Sequence, residues 1–94
     1  MLQKKSQLIS DIVKAKSKRA KAFAIILEDK SEKDLKFLVY PWVILTSKVS
    51  YLDKNYTSNL NMRSNPSVHI IGWKSGTYSE LVAYYSDFRD SYKK

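Results

Sequence analysis

The stretch AFAIIL, residues 22–27, holds no polar side chain, and it is enclosed by KAKSKRAK at 14–21 and EDKSEKD at 28–34. An apolar run this short, closed by a charged turn, reads as a well-buried strand entering a hairpin rather than as a helix. Residues 35–45 then form the return strand. Phe37, Val39, Val43 and Leu45 share one of its faces, and Leu38, Tyr40, Trp42 and Ile44 the other, so both faces are apolar. Pro41 has no N–H for the ladder and marks a bulge, a bend or a free edge.

Toward the N-terminus, Leu2, Leu8, Ile9, Ile12, Val13 and Ala15 recur at helical spacing, with Lys4, Gln7, Asp11, Lys14, Lys18 and Lys21 on the opposite face. They predict a helix over residues 2–18. Lys16 and Arg19 fall on the apolar side, so the last turn is expected to project beyond the core or to have unwound.

Toward the C-terminus, residues 46–67 are rich in Ser, Thr and Asn. A structureless connection of that length is unusual in a compact domain, so a second hairpin is expected: strand 47–52, a turn at Asp53-Lys54-Asn55 and strand 56–63. Val68–Lys74 reads as a further strand, in which Gly72 permits a bulge or a close approach. Thr77 and Glu80 have the spacing of a capping box, which starts a helix over 77–92. Its stripe of Tyr78, Leu81, Val82, Tyr85, Phe88 and Tyr92 is expected on the sheet, with Glu80, Tyr84, Asp87 and Asp90 turned outward. The predicted architecture is one α+β domain over 1–94. It has a basic helix in 1–21, an antiparallel sheet of three to five strands in 22–74 and an amphipathic helix in 77–92.

The 94 residues are 44% hydrophobic and 28% charged, the balance of a soluble globular chain. Cysteine is absent, which excludes disulfides and thiolate metal sites. No apolar stretch approaches the ~20 residues that span a bilayer, and no secretory signal is apparent, so a cytoplasmic location and no membrane contact are expected.

The net charge of +8 is unevenly placed: residues 1–21 hold seven basic residues against one acid, and residues 22–94 hold ten against eight. Such asymmetry suggests a polyanionic partner. The competing reading of KAKSKRAK is a solvated helix end, where cations also suit the helix dipole. Candidate phosphate contacts are Lys4, Lys14, Lys16, Lys18, Arg19 and Lys21, joined by Lys48, Lys54, Arg63 and Lys74 near the strands. Twelve aromatic residues are the second feature. Tyr51, Tyr56 and Trp73, with Tyr40 and Trp42, are candidates to stack on bases, although a small domain also uses large rings as core.

Support for an enzyme is slight. Glu28, Asp29, Glu32 and Asp34 alternate with lysines as a soluble hairpin tip does, His69 stands alone on a strand, and two glycines make no phosphate-cradling loop. No catalytic residue, metal site, cofactor or small-molecule substrate is expected.

In its layout of basic N-terminal helix, strands and aromatic C-terminal segment YSELVAYYSDFRDSYKK, 78–94, the chain resembles small cysteine-free proteins of phages and archaeal viruses. It is similar in organisation to the compact, non-barrel single-stranded-DNA-binding proteins of rod-shaped archaeal viruses. That resemblance implies a nucleic-acid-binding dimer. Two functions are therefore expected. One is a non-enzymatic protein binding DNA or RNA, single strands preferred; the other is a viral or mobile-element interaction module that dimerises or binds a host protein, since a strand apolar on both faces needs a second layer.

Overall fold

The structure, a computed structural model, describes residues 4–92, so Leu2 of the expected first helix lies outside the described residues. Strand β1 (Ala22–Asp29) is the middle of a three-stranded antiparallel sheet, between β2 (Asp34–Pro41) and β3 (Val68–Gly76). Ala22–Leu27 are all buried. Because side chains alternate along a strand, Phe23, Ile25 and Leu27 enter one layer while Ala22, Ala24 and Ile26 enter the other.

Two helices fill the first layer. Helix α1 (Lys5–Ser17) contributes Leu8, Ile12 and Ala15, and helix α2 (Leu45–Asn55) contributes Leu45 and Leu52. They pack with Phe23, Ile25, Leu27, Tyr56, Leu60, Val68 and Ile70 in one core. Each large side chain fully buried here contributes about 1.5–3 kcal/mol. Helix α3 (Tyr78–Tyr92) covers the opposite face, where Leu81 meets Ala22 and Ala24 with Phe37 and Val39 beside them. The α+β layout predicted from sequence is the one observed, and the second layer over β2 is supplied by α3 from the same chain.

Residues 42–67 depart from expectation. The return strand stops at Pro41, a single 3-10 turn occupies Trp42–Ile44, and α2 stands where strand 47–52 and the turn at 53–55 were expected. Leu45, Val49, Leu52 and Tyr56 recur at four, three and four residues, a helical stripe that Ser, Thr and Asn between them disguise because those residues are indifferent helix formers. The expected strand 56–63 is reduced to bridges between Tyr56 and Met62 and between Asn61 and His69.

Helix α3 begins at the predicted capping box: the Glu80 N–H donates to Thr77 Oγ1 at 3.2 Å and the Thr77 N–H to Glu80 Oε1 at 3.1 Å. Its buried stripe is rotated from the expected one. Tyr78 and Val82 are exposed, while Tyr84, expected outward, is half-buried. The cause lies in the sheet, since Gly72 leaves room that Tyr84 and Phe88 occupy. A Cβ at Gly72 would stand 2.6 Å from Tyr84 Oη and 3.1 Å from Phe88 Cε2.

Gly72→Ala should therefore destabilise the fold by about 1–3 kcal/mol, as overpacking does. Adding Tyr84→Phe should recover part of that loss in urea unfolding, because the hydroxyl is the nearest obstacle. Equal losses in the single and double variants would place the clash elsewhere.

Candidate nucleic-acid interface

The basic segment is anchored by the way α1 ends. Arg19 takes a left-handed conformation with φ of 55° and donates its N–H to Lys16 O, while the Ala20 N–H reaches Ala15 O at 3.0 Å. This pair of bonds closes the last turn, a role usually given to glycine. Lys16 O also accepts the Trp42 indole N–H at 3.0 Å, and the Trp42 backbone N–H donates to Lys21 O. The last turn of α1 thus neither projects freely nor unwinds; it ends at Ser17 in a tight cap.

Ala22 pairs with Pro41 on one side and Gly76 on the other, so the C-terminal end of α1 lies at the edge of the sheet where β2 and β3 also finish. Lys14, Lys16, Lys18, Arg19, Lys21 and Lys74 are all exposed there. Among the described residues none of the six has a carboxylate within 4.0 Å. Lys14, Lys18 and Lys74 rim a cleft of about 250 Å³ that Trp73 and Asp11 also line. Trp73 donates its indole N–H to Asp11 Oδ2 at 2.7 Å, and Gln7 donates to Asp11 Oδ1 at 3.0 Å. Both carboxylate oxygens of Asp11 are engaged, and the ring of Trp73 is fixed against α1.

Lys48 and Tyr51 sit together on α2, where the Lys48 ammonium stands 4.9 Å from the Tyr51 ring centre and 5.0 Å from that of Tyr40. Burial pushes the Tyr40 hydroxyl above its ordinary value. Lys4, Lys54 and Arg63 are exposed and do not line the cationic cleft. Lys4 precedes α1, Lys54 is in the last turn of α2, and the Arg63 N–H donates to Asn55 O. Tyr56, expected as a base contact, is 3% exposed and belongs to the core, and burial pushes its hydroxyl up to about 12. The sequence placed it at the start of a strand over 56–63, whereas here it follows α2 and closes the helical stripe.

The acidic hairpin is occupied with its own geometry. Asp29 accepts from the Ser31 N–H and hydroxyl, and Asp34 from the Leu35 N–H. Among the described residues no group of three His, Asp or Glu side chains is arranged to hold a metal ion, and no helix is long and apolar enough to cross a membrane. His69 faces Glu28 across the paired strands at 2.5 Å. The sequence showed neither this partner nor Asp11, because both contacts join residues more than 40 positions apart. Comparisons with protein-family models, curated proteins and solved structures return no match.

The His69 hydrogen bond, then that of the Tyr92 hydroxyl, hold the Glu28 carboxyl below its ordinary 4.5. A folded value lower than the unfolded one adds stability that is complete above about 4.5 and is lost as the pH falls through the folded value. Glu28→Gln should accordingly unfold at a lower temperature than the parent at about pH 6, with the gap closing toward about pH 3. A gap that is constant over that range would show that the ionised carboxylate contributes nothing.

Proposed function

We propose that this chain is a non-enzymatic, cytoplasmic nucleic-acid-binding protein that holds the phosphates of DNA or RNA on the C-terminal end of α1. Lys14, Lys16, Lys18, Arg19, Lys21 and Lys74 supply the contacts, and the Trp73 cleft gives an unpaired base a ring to meet, so single strands are preferred over duplex. The observation that carries this reading is the set of six exposed cations at this end of the sheet, without ion pairs among the described residues, three of which, Lys14, Lys18 and Lys74, rim that cleft. A solvated helix end would not need Lys74, which comes from a strand distant in sequence and extends the charge onto the sheet. Lys48 and Tyr51 on α2 are secondary contacts under this reading, while Lys4, Lys54 and Arg63 contribute only through long-range attraction.

Fluorescence anisotropy with labelled single strands, titrated at several salt concentrations, tests the proposal. Changing Lys14, Lys16, Lys18, Arg19 and Lys21 to Gln should weaken binding to every sequence. It should also flatten the logarithmic salt slope by roughly 0.7–0.9 for every phosphate that is no longer neutralised. Quenching of tryptophan emission on binding should survive Trp42→Phe and disappear in Trp73→Phe. An unchanged slope would remove α1 from the interface, and quenching abolished only by Trp42→Phe would move the base contact off the cleft.

A further inference from the structure

A second, larger concavity lies at the other end of the sheet, about 20 Å along β1 from the cationic cleft. It measures about 750 Å³ and opens between the β1–β2 hairpin and the last turns of α3. Lys30, Lys33 and Arg89 stand around it, and Leu35, Tyr85 and Tyr92 line it. We propose that this cleft binds a ring-bearing phosphate monoester, of the size and chemistry of a nucleoside monophosphate.

Three features favour that class of ligand. The arginine lies over a ring: its guanidinium stands 5.7 Å from the Tyr85 ring centre, and Tyr85 in turn stacks on Phe37 at 4.5 Å and 17°. A guanidinium held on an aromatic face loses less freedom when it pairs with phosphate, and its planar fork can contact two oxygens at once. Lys30 and Lys33, without ion pairs among the described residues, add two cations on the facing hairpin. Arg89 has Asp90 Oδ1 at 3.9 Å, a long contact between exposed groups that phosphate can displace.

The two carboxylates lining the cleft are engaged locally. Glu28 is paired with His69 of β3, and Asp34 Oδ1 accepts the Leu35 N–H. The lining carries three cations, Lys30, Lys33 and Arg89, against two carboxylates, beside the apolar surface of two tyrosines and a leucine. Phosphate alone would use the cations but not this surface, and an uncharged ring would use the surface but not the cations. The volume exceeds what an ion requires and falls within the ~300–1,000 Å³ usual for small-molecule sites.

This site is independent of the nucleic-acid reading, and its test is arranged to keep the two apart. Amide and side-chain NMR shifts of the whole chain are followed during titration with adenosine monophosphate, adenosine, inorganic phosphate and a 5′-phosphorylated dinucleotide. Adenosine monophosphate should move Lys30–Leu35 and Tyr85–Tyr92 and should bind at least tenfold more tightly than adenosine or phosphate. A dinucleotide that matches or exceeds it with the same shifts would assign the cleft to a strand end, and a weaker dinucleotide would assign it to the free nucleotide. Lys33→Gln with Arg89→Gln, both exposed positions that leave the core intact, should weaken adenosine monophosphate at least tenfold while affinity for long single strands stays unchanged. Shifts confined to Lys14, Lys18 and Trp73, equal binding of inorganic phosphate, or no shift at millimolar ligand would each overturn the proposal.

Discussion

The burial of Ala22–Leu27 on both faces is the constraint on which the other elements depend. A strand with six consecutive buried residues must be central, must have a neighbour on each edge and must have a layer of helix above and below. β2 and β3 supply the edges, α1 and α2 the first layer and α3 the second. The small residues Ala22 and Ala24 let α3 come close enough for Leu81 to be fully buried, whereas Phe23 and Ile25 on the reverse face demand the wider layer of two helices.

The orientation of α1 follows from contacts at both its ends, and these contacts turn a charged segment into a placed surface. At its start, Lys5 Nζ reaches Asp53 O and Tyr56 O at 3.0 and 3.1 Å, where the carbonyls that end α2 lack helical partners. At its finish, Lys16 O receives Trp42. In between, Asp11 holds Trp73 of the sheet. With three anchors spread along thirteen residues, α1 cannot roll on the sheet, and its cations are presented from a rigid element rather than a mobile tail.

The sequence made the elements legible wherever one local signal dominated. AFAIIL had only one physical reading, and the Thr77 and Glu80 spacing located a helix start that the hydrogen bonds reproduce. Residues 45–55 read as a hairpin because their apolar positions are few and the residues between them favour turns, so a local preference outweighed a weak helical period that tertiary packing enforces. The α3 stripe differs for another reason: which side of that helix is buried depends on a gap at Gly72, and a gap in a neighbouring strand leaves no trace in the helix's own pattern. The cluster of charge at 14–21 was visible at once, but its union with Trp73 and Lys74 was not, since only the β1–β3 register brings them together. The hairpin cleft was invisible for the same reason. Tyr85 and Tyr92 read as core, and the acids and lysines of the turn read as a solvated tip.

The two ends of the sheet differ in kind, and the topology explains why. At the end where Ala22, Pro41 and Gly76 meet, α1 finishes while α2 and α3 begin, and a helix start carries about half a positive charge. Two such starts reinforce the cations of α1 and Lys74; Asp11 is engaged by Trp73 and Gln7, and Glu80 is engaged in the α3 cap. The hydrogen bonds from Thr77 hold its carboxyl below the ordinary value, and the charge of Lys74 adds a smaller effect in the same direction. At the opposite end α2 and α3 finish, and the hairpin interleaves the acids Glu28, Asp29, Glu32 and Asp34 with Lys30 and Lys33, so charges of both signs stand side by side. A field of one sign over an open edge suits an extended polyanion, whereas a few cations around an aromatic-walled cleft suit a compact one. One small sheet can present both because its central strand is fully buried: neither edge of β1 is needed for binding, and each of its ends is free to carry a different surface.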